Sequence, residues 1–302
     1  MFPFRCSARY PLPVTLSVVI ITYNEEANIG RALESVMPLL SGGKGEIIVV
    51  DSGSTDRTVD IAKSFGAKVY VEEWKGYAAQ KNSGIDKATG DWILSLDADE
   101  EADAELIKEL PACYATEESN AKPESCESCL TGEGARKTYG NFDIPQGRAV
   151  GFSIRRKNFF LGRWIEHGGF WPDPKLRLFH RGDARVEERS VHETIQASGR
   201  VVGIERGALI HHCYSTLSDY IDHMNRYSSL GAEMAAAHGP RSFSVIDILL
   251  RPVATFLYNY CFRLGFLDGR EGLLLHLYHA VYVSWKYAKA WELSHSKKTP
   301  GP

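Results

Sequence analysis

The 302-residue sequence predicts an α/β protein with a mostly parallel central sheet, followed by a C-terminal helical extension. Three observations carry that expectation. Short apolar runs alternate with segments of helical period from Leu16 to Asp99. The first two of those runs are β-branched and apolar almost throughout, as in strands buried on both faces. The last third of the chain then gives up the strand pattern for long helical stretches.

The predicted strands are Leu16–Ile21, Glu46–Val50, Lys68–Val71 and Asp91–Leu96. Between them, Ile29, Leu33, Val36 and Leu40 mark one helical face, and Val59, Ala62 and Phe65 another. The order is βαβαβαβ, and ligands of such open sheets bind beyond the carboxyl ends of the strands. A helix is predicted near Asp103–Leu110. Residues 111–137, rich in Glu, Ser, Gly, Lys and Cys, read as a flexible insertion. Residues 139–212 are strand-like again but aromatic and charged, as in Gly151–Arg156 and Lys175–His180.

Residues 213–293 read as helical, with breaks at Gly239-Pro240, Arg251-Pro252 and Asp268-Gly269. Charges at Asp247, Arg251, Arg263 and Lys286 keep every apolar stretch below the roughly 18 residues of a membrane span. Residues 244–291 interleave Arg251, Arg263, Arg270, Lys286 and Lys289 with Phe256, Tyr260, Phe266, Tyr278 and Trp285. That pattern predicts contact with an anionic membrane surface; a helical lid packed on the preceding domain is the competing expectation.

Composition narrows the class. A hydrophobic content of 44% supports one large core, and a net charge of -3 without any polybasic run argues against a nucleic-acid partner. No apolar stretch of signal-peptide length precedes Leu16, so a cytoplasmic location is expected, with the inner membrane face as its peripheral variant. The cysteines Cys6, Cys113, Cys126, Cys129, Cys213 and Cys261 are scattered, unlike a secreted disulfide framework. Cys126-x-x-Cys129 lacks a second pair at finger spacing, so thiols are expected rather than zinc.

Candidate chemistry gathers at three strand ends: Thr22-Tyr23-Asn24-Glu25, Asp51 with its Gly/Ser/Thr loop to Asp56, and Asp97-Ala98-Asp99. If the last segment is extended, Asp97 and Asp99 point the same way and can face one divalent ion, Mg²⁺ or Mn²⁺, bridging two phosphates. An Asp-x-Asp alone arises by chance in a chain this size; its place after a strand gives it weight. Asp51 is expected to accept hydrogen bonds from a base or ribose, with Asp56 as the helix cap. Lys81-Asn82 lies between the third and fourth strands, where a lysine can reach a diphosphate as a point charge.

In combination and in order, these segments resemble the family 2 glycosyltransferases, over nearly the whole chain. Gly162-Arg-Trp164, the run His167–Asp173, Lys175–Phe179, Val191-His-Glu193 and Leu264–Arg270 are similar to the branch that builds lipopolysaccharide core. The resemblance implies a GT-A type domain over 14–212, with its nucleotide and metal half at 14–100, its acceptor half at 139–212, and helices at 213–293. It further implies inverting transfer of a hexose from a nucleotide-diphosphate sugar, with UDP expected, to a cell-envelope glycan or glycolipid. Another lipid-linked or protein acceptor stays open. Thr22, Tyr23, Asn24, Glu25, Asp51, Lys81, Asn82, Asp97, Ala98, Asp99 and Arg177 are the expected nucleotide-sugar contacts, and Trp164, Trp171 and His192 the expected acceptor or sugar contacts. For the base that takes the acceptor's proton, Glu193 leads and Asp173 follows. His211 and His212 are read as structural because no acid stands at helical spacing from them.

Two other classes are weighed. A nicotinamide-dependent oxidoreductase fits the βαβ order, but Thr22–Glu26 replaces the glycine-rich turn that pyrophosphate needs. A noncatalytic carbohydrate-binding protein would leave the acidic pair without a task.

Overall fold

The computed structural model describes residues 15–41, 45–115, 149–187, 194–237, 239 and 242–296. Strands β1 (Leu16–Thr22), β2 (Gly45–Asp51), β3 (Lys68–Val71) and β4 (Trp92–Asp97) match the four apolar runs and lie parallel, in the order β3-β2-β1-β4. Every residue of β1 is buried, as its apolar, β-branched sequence requires. Val18 and Ile20 face α1 (Ile29–Leu40) and α2 (Thr58–Ser64), whereas Val19 and Ile21 face α3 (Tyr77–Lys87). Register sets the site. Thr22 stands level with Asp51, and Ile21 with Asp97, so the three motif-bearing strand ends share one edge of the sheet.

Beyond β4 come β5 (Glu100–Ala102), α4 (Ala104–Ala115), β6 (Ala149–Phe160), β7 (Arg163–Trp164) and β8 (Lys175–His180). They are followed by β9 (Ala184–Glu187), β10 (Thr194–Ala197) and β11 (Arg200–Tyr214). Across the sheet the order continues β4-β8-β6-β11-β5, with β8 antiparallel to both neighbours and β6 parallel to β11. The sheet is therefore mixed. Its first four strands are wholly parallel, and antiparallel joins enter through β8, β5 and β7. Helix α4 runs past Pro111 to Ala115, so the predicted insertion opens with the last turn of a helix; residues 116–137 lie outside the described residues.

The C-terminal region is helical as expected. It comprises α5 (Leu217–Ala237), a near-continuous rod made of a π-helical turn (Ile246–Leu250), α6 (Arg251–Leu257) and a second π turn (Tyr258–Phe262), and then α7 (Gly269–Ser296) after a 3₁₀ turn at Gly265–Asp268. Helices α5 and α7 pack together where Gly231 admits the stem of Lys286. The Lys289 ammonium donates to the Asn225 carbonyl at 2.8 Å and to Ser228 and Ser229. Phe160, Ile165, Tyr220 and Leu275 form a separate core that joins these helices to the sheet. Among the described residues no helix is long and apolar enough to cross a membrane.

Candidate active site

The loops after β1 and β2 are stitched into one unit. Asn24, in the left-handed region at φ 54°, accepts the Thr55 amide at 2.8 Å on its side-chain oxygen, and its own amide donates to the Ser54 hydroxyl. The Glu25 amide donates to Thr58, the Glu26 amide to Asp56, and the Arg57 amide to Glu26. Asp56 also takes the Thr58 amide in a turn just ahead of α2, whose N-cap is Arg57 rather than the predicted Asp56. Asp51 is fully buried. One carboxylate oxygen accepts from the Thr22 and Ser54 hydroxyls and the other from the Gly53 and Ser54 amides, so four acceptor positions are filled from within the chain. A nucleotide donor would meet Asp51 only by displacing one of these four. Tyr23 is 58% exposed, its ring open to a ligand.

The acidic turn divides its two aspartates. Residues 98–99 form a turn rather than continuing the strand, so Asp97 and Asp99 do not share one face. One oxygen of Asp97 meets the Lys81 ammonium at 2.9 Å and the other the Arg177 guanidinium; both cations are almost wholly buried. Burial opposes charge on Asp97, yet Arg177 and Lys81 outweigh it and hold its carboxyl well below the usual range. Arg177 reaches on to Glu100 at 2.6 Å, and Glu100 receives Arg156 at 3.1 Å. Asn82 does not face this cluster: its amide exchanges hydrogen bonds with the Val186 backbone and ties α3 to β9.

Asp99 faces His211 instead. The His211 Nε2 lies 3.3 Å from the Asp99 carboxylate, while its Nδ1 is held by Asn158 at 2.8 Å. Burial pushes the imidazole pKa down, but the hydrogen bonds to Asp99 and Cys213 carry it well above its ordinary value. The next residue, His212, points to the opposite side of β11 and meets Glu101 at 2.8 Å. These acids are found across a β5–β11 pairing, over a hundred residues away in sequence, which is why a search at helical spacing misses them. Glu25 belongs to the same field: burial, with the carboxylates of Asp99, Asp56 and Asp97, raises its pKa against the opposing Asn28 amide.

On the far side, Asp173 binds Arg156 at 2.6 Å and Lys175 at 3.0 Å. Burial works against its charge, but those two cations prevail and lower its pKa, which weakens it as a proton acceptor. Trp164 and Trp171 meet edge to face at 5.3 Å, with the Lys157 ammonium over Trp164 and the Arg155 guanidinium over Trp171. The Trp164 indole N–H is buried with no hydrogen-bond partner among the described residues. Phe170 packs into the core around Phe160 and Tyr220. A concavity of about 550 Å³ opens beside Trp164, lined by Leu161, Gly162, Arg163, Gly269, Arg270 and Glu271. His192 and Glu193 lie outside the described residues, as do Cys6, Cys126 and Cys129. Cys113, Cys213 and Cys261 are in no disulfide.

Among the described residues no group of three or more His, Cys, Asp or Glu side chains is placed to hold a metal ion. Asp99 and His211 nevertheless form a two-donor oxygen and nitrogen pair, with the imidazole oriented from behind by Asn158 as metal-bound histidines are. To hold a divalent ion this pair would first release the proton that Asp99 and Cys213 stabilise on the imidazole, with water and phosphate oxygens as the ion's other ligands.

The sequence pattern described as Glycosyl transferase family 2 matches residues 17–120, which hold all three strand-end motifs and Lys81. A second match extends to the remainder. The chain is 29% identical to the lipopolysaccharide core biosynthesis glycosyltransferase LpsC of Rhizobium meliloti, over 94% of this chain and 95% of that one. Residues 17–120 form a glycosyl transferase family 2 domain. Its α/β fold is of the GT-A kind, and its activity is that of a glycosyltransferase. An uncharacterized glycosyltransferase of Rickettsia bellii is 48% identical across 34% of this chain and 33% of its own. Among solved structures, TarS residues 1–349 of S. aureus in complex with UDP is similar at 16% identity with a TM-score of 0.44, covering 95% of this chain and 92% of that one.

Proposed function

We propose that this glycosyltransferase moves a hexose from a nucleoside-diphosphate sugar, UDP-linked by preference, to a glycan or glycolipid acceptor of the cell envelope, with inversion and with a divalent ion at Asp99 and His211. The observation that carries the reading is the acidic turn after β4. One aspartate is locked between Lys81 and Arg177, and the other is left facing an oriented imidazole at the edge where Thr22 and Asp51 end. The acceptor class rests on full-length likeness to a relative whose name places it in lipopolysaccharide core biosynthesis.

In this reading Tyr23, Asn24 and Glu25 border the nucleoside, and Asp51 keeps their loop in shape from beneath. Asp97 is the hinge of the ion-pair cluster, and Ala98 is small enough to leave the turn's backbone close to the diphosphate. Trp164 offers its unpartnered indole N–H to a sugar oxygen, and Trp171 braces it. A bound Mg²⁺ or Mn²⁺ would offset the charge of the departing nucleoside diphosphate. Inversion takes place in one displacement: the acceptor hydroxyl oxygen bonds to the anomeric carbon as the bond to the diphosphate breaks, and the hydroxyl proton passes to a carboxylate. Asp173 is already committed to Arg156 and Lys175, so the proton is assigned to Glu193, beside His192.

Purified protein is screened by thermal shift against nucleotide-sugars with and without Mn²⁺. A shift by one nucleotide-sugar that needs the metal, absent in Asp99→Asn and His211→Ala, is the expected result. Equal shifts in the variants, or in chelator, would overturn the metal assignment. For the base, Glu193→Gln should keep donor binding and lose transfer by roughly a hundredfold or more. Near-normal transfer by that variant would return the role to Asp173.

A further inference from the structure

The segment from Val245 to Leu267 presents a face that no described part of the chain covers. Residues 245–262 carry only two charged side chains, Asp247 and Arg251, and these pair with each other at 2.8 Å. Its inner side is anchored on α7. Pro252 is buried, the Ser284 hydroxyl donates to the Ile248 carbonyl at 2.8 Å, and the Arg251 guanidinium lies over the Tyr287 ring. Its outer side is just as apolar and is bare: Ile246, Leu249, Leu250, Val253 and Leu257 are 45% to 64% exposed. The strip continues onto the following turn through Phe262 at 79% exposure, Leu264, Phe266 and Leu267. A helix apolar on all sides belongs inside a protein or against lipid, and an exposed patch of this extent marks a docking surface.

The charges along this face identify its occupant. Arg251, Arg263 and Arg270 are exposed, Arg270 with 90% of its side chain in solvent. Arg251 pairs with Asp247 and Arg270 with Glu271, while buried Asp268 is turned inward to the His167 ring and the backbone amides of Glu166 and His167, so the face keeps a net positive charge through Arg263. An apolar strip bordered by arginines matches acyl chains beneath anionic headgroups. Lys286 and Lys289, which the sequence also offers for this purpose, are turned toward α5 and do not belong to the face.

We propose that this face seats the protein in the interfacial layer of an anionic bilayer, lying on the membrane without crossing it. Because Asp268 grips the backbone at Glu166 and His167, the segment leading to Trp171 and Asp173 is held at a fixed place above that surface. The surface is independent of which sugar or acceptor the enzyme uses, and vesicle binding reads it without reading transfer.

The full chain is sedimented with vesicles of phosphatidylcholine alone and with 30% phosphatidylglycerol, at low and high salt, beside Phe266→Ser/Leu267→Ser, Leu249→Ser/Leu250→Ser and the remote control Val71→Ser. Binding to the anionic vesicles, partly resistant to salt and weakened at least tenfold in both face variants but not in the control, is the expected result. Circular dichroism confirms that each variant is folded. No binding of the native chain at low salt, or equal binding by folded face variants, would overturn the proposal. So would a dimer in light scattering that the same substitutions dissolve, with no vesicle binding.

Discussion

Asp97 and Asp99 are two residues apart and hold different positions. Asp97 is the anion between Lys81 and Arg177, two cations with 5% and 6% of their side chains exposed. Asp99 makes one longer contact, to His211, and since the two aspartates are about equally exposed the contrast lies in their partners. Asp97→Asn removes a counter-charge from a buried cluster and is expected to cost about 2 kcal/mol of stability along with transfer. Asp99→Asn is expected to cost less than about 1 kcal/mol while abolishing transfer and Mn²⁺ binding. Urea unfolding beside a transfer assay checks the contrast; equal loss of stability in both would remove it. The pair was legible from its position after an apolar strand. Its division of labour was not, because it depends on Arg177, Glu100 and His211, which reach the site from three other strands.

At the scale of elements, α3 must lie close enough to β1 and β2 for Lys81 to reach Asp97. Gly84 permits that approach: a Cβ there would stand 2.5 Å from Val19 Cγ1 and 3.3 Å from Val50 Cγ2. Gly84→Ala is therefore expected to push α3 outward, destabilise by about 1–3 kcal/mol and depress transfer. Gly30→Ala in α1 is the control, since its Cβ would meet only Ile61 at 3.7 Å; it should be neutral or stabilise by up to about 1 kcal/mol. Similar melting temperatures for the two variants would refute the packing argument. The first four strands and the two helices α1 and α2 were readable because each is local and strongly patterned, whereas α3, with Gln80 and Lys81 on its buried side, was implied only by the alternation of elements. β11 was harder: Arg200–Tyr214 mixes charges, glycines and bulges, and its pairing with β6 and β5 is a long-range choice that periodicity does not encode.

The molecule as a whole joins its sheet to its C-terminal helices through a junction centred on a buried histidine. His276 is 1% exposed, and neither ring nitrogen has a hydrogen-bond partner among the described residues. It fits because Gly168 and Gly265 lack side chains; a Cβ on either would fall 2.0 Å or 2.3 Å from the ring. Phe170 and Tyr260 also border it. Burial, with His279 and Arg263 adding positive charge and Asp268 opposing them, pushes its pKa down to about 4 from 6.5. Below 6.5 the unfolded chain therefore takes up a proton that the folded chain refuses until about pH 4. The stabilisation is complete above pH 6.5 and is lost as pH falls toward 4, before Glu46 and Glu72, each held at about 2, begin to bind protons in the native state. Between pH 7 and 5 His276 alone should remove about 2 kcal/mol. His276→Leu deletes the titration while keeping an apolar side chain in the pocket, so its stability should fall less over that interval, by about the same amount. Urea midpoints measured at pH 7, 6 and 5 decide it. Parallel pH profiles for the native chain and the variant would mean that the junction does not hold a neutral imidazole.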